Sequence, residues 1–303
     1  MELFQSIKKN KRQSWMLVFV LAVLATGAGF IIAYGFTNDP MVGVIGLVAA
    51  FVITLIMTLI AYFSGDIIMM ALSGAREIKK GDNPQLFNVV EEMSIASGVP
   101  MPRVFIIDDP SPNAFATGRN PNKSAVAVTT GLLDRLKRDE LQGVIAHEMS
   151  HIQNYDILFA MMVGILVGTI VMISDIAMRS LWFGGGRRRG GGGKGGGQAA
   201  AVFFIIALVF VILAPIFAML LQFAISRERE YLADAAGAKL TRYPEGLAGA
   251  LEKIAYSGIP LEKGSKANQH MYIVNPFYPT KELSALFATH PPIKERIRRL
   301  RAM

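Results

Sequence analysis

Between Arg12 and Asp39 the chain carries no charged residue, and residues 40–65 carry none either. Each stretch exceeds the roughly 20 apolar residues that a helix needs to cross a bilayer core. The first is too long for the apolar part of a signal peptide, about 7–15 residues, and lacks an Ala-x-Ala end, so it reads as a retained anchor. Thr37-Asn38-Asp39-Pro40 is a tight polar turn, which makes the two stretches a hairpin. Composition agrees. Hydrophobic residues make up 52% and charged residues 18%, against about 45–50% and about 25% in soluble domains. Intrinsic disorder, a nucleic-acid-binding tail protein and an ordinary secreted globule are excluded. The chain has no cysteine, so disulfides, thiolate chemistry and sulfur-ligated zinc are excluded as well. The net charge of +8 suits anionic lipid better than nucleic acid in a chain with such apolar runs.

A third uncharged run covers residues 157–174, with Asp175 and Arg179 beyond it as an i,i+4 pair near an interface. A fourth covers 195–226 and contains Pro215. Between them, residues 184–197 comprise ten glycines, Arg187, Arg188, Arg189 and Lys194, a composition expected of a floppy loop. Lys8, Lys9, Lys11 and Arg12 precede the first hairpin, its turn has no Lys or Arg, and Arg76, Lys79 and Lys80 follow it. Basic flanks favour the cytoplasmic side, so the N-terminus and everything after residue 66 are expected there. The basic Gly-rich loop conflicts with this rule. The length of its flanking runs favours two full crossings over a partly inserted hairpin.

The soluble remainder is expected to be helical with a small sheet. Helices are predicted from Asn83-Pro84 to Ser97, and over 139–154, 227–239 and 293–301, and strands at Arg103–Ile107 and 125–130. The chemistry lies at His147-Glu148-Met149-Ser150-His151. On a helix, His147 and His151 project from one face a turn apart and can bind one metal ion. The ion lowers the pKa of a bound water to about 7, and Glu148 stands beside it as general base. A third histidine three or six residues further on is missing, since those positions are Asn154 and Ile157. Glu230 and Asp234, i and i+4 on a second helix, supply the alternative: Glu230 as third ligand, Asp234 as acceptor for the ring N–H of His147. The long separation of the two motifs is mostly the second hydrophobic hairpin. A hairpin returns to the side it left, so the motifs can meet at the membrane surface.

These residues resemble the HtpX-type family of membrane zinc metallopeptidases, distant relatives of the CaaX prenyl-protein peptidases. The likeness rests on the first hairpin, Asn113-Ala114-Phe115-Ala116-Thr117-Gly118, the H-E-x-x-H helix, the interrupting hairpin, Ser226-Arg227-Glu228-Arg229-Glu230-Tyr231-Leu232-Ala233-Asp234 and Thr289-His290-Pro291-Pro292. It implies an integral membrane protein, mainly α with a small β-sheet, whose zincin-like metallopeptidase domain accompanies two transmembrane helical hairpins. The expected parts are a hairpin over 1–66, catalytic segments over 67–156 and 226–303, and a second hairpin over 157–225. The resemblance further implies one zinc ion per chain on His147, His151 and Glu230, with Glu148 catalytic. It implies endopeptidase action on misfolded proteins and a bacterial cytoplasmic membrane location with the catalytic part facing the cytoplasm. Polypeptide substrates and the lipid bilayer are the expected partners, with no nucleic acid. Asn113 and Ala114 resemble the edge-strand segment that pairs with substrate backbone in related zincins. His290, before Pro-Pro, reads as a local packing or capping residue, with oxyanion stabilisation across from Glu148 as the alternative. Residues 294–301 read as a solvated basic face. Two other classes stay open: a membrane module with a purely structural metal, and a transporter, for which only Asp175 and Pro215 speak.

Overall fold

A computed structural model describes residues 2–184, 228–262, 271–274 and 291–303. The fourth apolar run, the Gly-rich loop beyond residue 184, Pro215, His270 and His290 lie outside the described residues. Helices α1 (Glu2–Thr37) and α2 (Pro40–Leu72) cover the first two apolar runs and extend beyond them. At the turn between them Asn38 takes a left-handed conformation, φ 54°, and Asp39 Oδ1 accepts the Met41 N–H at 2.8 Å, capping α2. Among the described residues, α1 over Val18–Gly35 and all of α2 are long and apolar enough to cross a membrane. A third span is present if α5 (Arg138–Gln153) and α6 (Asp156–Gly184) count as one span through Met172, bent by 79°. The second expected hairpin is therefore described only in its first arm.

The chain divides into two units. One holds Trp15–Ile60 together with α6 from Ile165 onward. Its helices expose large apolar side chains, among them Phe19, Val44, Phe51 and Leu55. Water does not favour such continuous apolar surface, and lipid does.

The other unit is built on a four-stranded sheet of β1 (Ala75–Glu77), β2 (Arg103–Ile107), β3 (Ala114–Asn120) and β4 (Lys123–Thr129), in the order β1-β2-β4-β3. The β2–β4 pair is parallel and the other two are antiparallel, with Val104 opposite Val126 and Ala116 opposite the same Val126 on its other side. Both β1 and β3 are edges. Helix α3 (Pro84–Ser97) starts as the sequence predicts, Asn83 Oδ1 accepting the Leu86 N–H at 3.0 Å, and stops at Gly98, φ 67°. A short α4 (Thr130–Arg135) leads into α5. The described part of α7 covers 228–241, and α8 (Pro244–Ala255) and α9 (Ile293–Leu300) follow. Leu141, Val144, Ile145, Met149 and Ile152 of α5 enter one core with Leu86, Val90, Val126, Leu247 and Leu251. Two glycines set how closely helices approach α5. A Cβ on Gly143 would stand 2.6 Å from the Leu247 backbone N of α8. One on Gly237 of α7 would stand 3.1 Å from the His147 backbone N. Without side chains there, α7 lies directly against the turn of α5 that carries the histidines.

Candidate metal centre

α5 buries its apolar residues in the core and turns His147, Glu148 and His151 toward α7 and β3. One donor atom from each of His147, His151 and Glu230 lies within 4.8 Å of the others. The Nε2 atoms of the two imidazoles are 3.1 Å apart. Glu230 Oε1 is 3.4 Å from His151 Nε2, and Glu230 Oε2 is 3.7 Å from His147 Nε2. A tetrahedral ion with bonds of about 2.0–2.1 Å holds its ligand atoms roughly 3.3–3.4 Å apart.

The remaining ring nitrogens decide what the centre can accept. His147 Nδ1 faces Asp234 Oδ1 at 3.0 Å, and His151 Nδ1 faces Asp156 Oδ2 at 3.2 Å. An ionised carboxylate only accepts, so in each ring the proton belongs on Nδ1. Both Nε2 atoms are then bare lone pairs, pointed at each other and at a third acceptor, the Glu230 carboxylate. Lone pairs crowded in this way repel unless a proton or a metal cation stands among them. The residues therefore fit a metal ion. The electrostatics agree: burial pushes the His151 ring down, but Asp156 and Glu230 outweigh it and hold the ring well above its ordinary pKa. The surroundings favour positive charge at this point.

Glu148 is 2% exposed and lines the same cavity as His151, Glu230 and Ala116. Burial pushes its carboxyl up, against the pull of both imidazoles and a backbone hydrogen bond from Ala116. A carboxylate raised in this way is a better proton acceptor than a solvated one.

Three further charged residues complete the centre, and the sequence reading assigned none of them a role there. Asp156 stands behind His151 as Asp234 stands behind His147. Arg229 is 5% exposed, with Nη1 3.2 Å from Asp156 Oδ1 and its guanidinium 3.8 Å from the Phe159 ring centroid. Arg296 of α9 is fully enclosed. It donates to both Asp234 oxygens at 2.8 and 2.7 Å and to the Ile273 carbonyl at 2.9 Å, and lies 3.1 Å from Glu230 Oε2. This corrects the expected solvated basic face over 294–301. Arg298, Arg299 and Arg301 are exposed and pair with Glu295, Glu245 and Glu252, but Arg296 points inward because two buried carboxylates require it. The signal available was its position: in Ile293–Leu300, Arg296 falls on the same face as Ile297 and Leu300.

Asn113 and Ala114 lie at the start of β3, both buried. Their outer side is already taken. Ile273 N–H donates to the Ala114 carbonyl at 3.0 Å, and Asn113 Nδ2 donates to the Val274 carbonyl at 2.9 Å. The contact expected there is made by the chain's own 273–274. Beyond that pairing, the outward-facing backbone groups of β3 are those of Ala116 and Gly118. Asp175 pairs with Arg179 at 2.8 Å, both exposed, as the spacing predicts.

A mainly helical chain with membrane helices, a small mixed sheet and a His-His-Glu centre with an adjoining buried glutamate defines a membrane metallopeptidase. Residues 80–303 match Peptidase family M48, and the chain belongs to that family. Within it the chain is of the HtpX type. It is 46% identical over 300 residues to a Protease HtpX homolog of Dictyoglomus turgidum, covering 99% of this chain and 94% of that one. It is 48% identical over 310 residues to a Protease HtpX homolog of Listeria monocytogenes, covering 99% and 100%. In fold it is similar to the crystal structure of S. mikatae Ste24p, with a TM-score of 0.51 at 20% identity over 99% of this chain and 66% of that one. The family brings polypeptide substrates, a membrane setting and a divalent metal.

Proposed function

We propose that the chain is a zinc-dependent endopeptidase of the bacterial cytoplasmic membrane that cuts misfolded or damaged membrane and cytoplasmic proteins on the cytoplasmic side. His147, His151 and Glu230 hold the metal, Glu148 is the general base, and Asp234 orients His147. One observation carries this reading: two imidazole lone pairs and a carboxylate converge within 4.8 Å, with a buried carboxylate from the same helix beside them. A zinc ion at such a place polarises the scissile carbonyl and makes water acidic enough to ionise near neutral pH.

The protein's own groups do the rest. Glu148 takes the proton of the attacking water and returns it to the departing amine. Asp234 keeps the His147 proton on Nδ1 and so keeps Nε2 available. The substrate backbone adds as a strand at Asn113 and Ala114 on the β3 edge, in place of residues 273–274. Main-chain pairing of this kind tolerates many sequences, as clearance of damaged proteins requires. The catalytic part is formed by 67–156 and 226–303 with the hairpin 157–225 inserted between them.

The test is metal content measured together with proteolysis of an unfolded substrate such as casein. The wild-type chain holds one zinc and cleaves. Glu148→Gln holds the same zinc and loses about 10²–10⁴-fold in rate. Undiminished cleavage by that variant refutes the role of Glu148. Absence of metal in the active wild type refutes the centre.

A further inference from the structure

The two metal-binding histidines are supported in matching ways, and only one half of that arrangement is visible in the helix pattern. His147 is backed by Asp234 and Asp234 by Arg296. His151 is backed by Asp156 and Asp156 by Arg229. The second set depends on a corner in the chain. α5 ends at Gln153, Asn154 closes it with its N–H on the Ser150 carbonyl at 2.9 Å, and Tyr155 takes φ 61°, in the left-handed region. The axis then turns by 79°. That turn brings Asp156, only five residues after His151, back beneath the ring, where a continuing helix would have carried it away. Asp156 is 6% exposed, and its two oxygens are divided: Oδ2 at 3.2 Å from His151 Nδ1, Oδ1 at 3.2 Å from Arg229 Nη1. Arg229 is fixed in turn by the face of Phe159.

Asp156 is also the first residue of α6, and Arg229 is the second described residue of α7. From this we infer that Asp156 and Arg229 are positioning residues for His151: Asp156 holds the ring and Arg229 holds Asp156. The inference rests on the metal-ligand assignment above. A carboxylate behind a ligating histidine fixes its tautomer and ring plane, and its loss typically costs 10–100-fold in metal affinity. Arg229 makes no contact with the ion in this scheme and acts by holding Asp156, so its effect should vanish once Asp156 is gone.

The experiment uses the full chain in detergent or nanodiscs. Zinc affinity is read by competition with a chelator, and the visible spectrum of the cobalt(II)-substituted protein reports ligand geometry. Asp156→Ala and Asp156→Asn are expected to bind zinc 10–100-fold and several-fold more weakly, with an altered cobalt spectrum. Arg229→Met is expected to weaken binding in the wild-type background and to change nothing further in the Asp156→Asn background. Asp175→Asn, on α6 with its own exposed partner, serves as the control and keeps full affinity. If Asp156→Ala does not fold, the Asn variant carries the test. Wild-type affinity and spectrum in Asp156→Asn overturn the inference. An equal loss from Arg229→Met in both backgrounds overturns the order Arg229–Asp156–His151. A wild-type chain that binds no zinc refutes the ligand assignment instead, so the two failures are distinguishable.

Discussion

A guanidinium closed off from water is costly unless its donors are matched by acceptors of opposite charge. Arg296 meets that condition through Asp234, Glu230 and the Ile273 carbonyl. Burial pushes the Asp234 carboxyl up, but Arg296 and His147 outweigh it and hold it down at about 2. Removing one partner of such a set leaves the others unpaired in the interior. Arg296→Met is therefore expected to destabilise the fold by about 3–5 kcal/mol, read by thermal unfolding. Arg296→Lys is expected to recover little, because a point charge cannot span two carboxylate oxygens and a carbonyl. Tyr272 gives a pH prediction. It is fully buried, edge-on to Phe115 with ring centroids 5.0 Å apart, its hydroxyl directed to Ser73. Burial pushes its pKa up to about 12. The folded state keeps a proton that the unfolded chain releases near pH 10, so the stabilisation is complete below pH 10 and disappears as pH rises to about 12. The shift corresponds to about 2–3 kcal/mol. Tyr272→Phe should flatten the dependence of unfolding temperature on pH over that interval. An unchanged slope would count against the assignment.

At the scale of helices and strands, close approach controls where the ligands sit. Gly143 lets α8 lie on the backbone of α5. Gly143→Val should cost about 1–3 kcal/mol through overpacking, whereas Gly81→Ala, with no atom within 4 Å of the new Cβ, should be neutral. Thermal unfolding of the pair distinguishes a packing effect from loss of backbone freedom. The sequence shows local relations well. His147 and His151 lie a turn apart on one helix, as do Glu230 and Asp234, and the polar turn at Asn38-Asp39 follows from residue types alone. Relations that depend on distant partners stay hidden. Arg296 is 62 positions from Asp234 and looks like any other base in a charged helix. Arg229 looks like a solvated residue until Asp156 and Phe159 surround it. Asp156 is near His151 in sequence, but only the left-handed Tyr155 brings it back, and nothing in the residue type of a tyrosine predicts that conformation. β3 is Ala-Phe-Ala-Thr-Gly-Arg-Asn, a weak strand former by composition; it is extended because β4 pairs with it from Ala114 to Gly118 and again at Asn120.

For the molecule as a whole, orientation in the membrane is directly testable because the chain has no cysteine of its own. A single Asp39→Cys should react with an impermeant thiol reagent on intact cells. Lys80→Cys should react only in inverted vesicles. The opposite pattern would place the catalytic part outside the cytoplasm. Orientation aside, the charges gathered around the two histidines have a consequence of their own. Among the described residues around them, Glu148, Asp156, Glu230 and Asp234 are enclosed, with Arg229 and Arg296 as the enclosed cations beside them. When all four carboxylates are ionised, four negative groups against two positive ones leave this cluster two units short, which is what a doubly charged ion supplies. Sodium or potassium would leave an unbalanced charge inside, at a cost of several kcal/mol. With all four carboxylates ionised and both imidazoles neutral, charge balance favours a divalent over a monovalent ion, and the choice among divalent ions falls to coordination preference and supply.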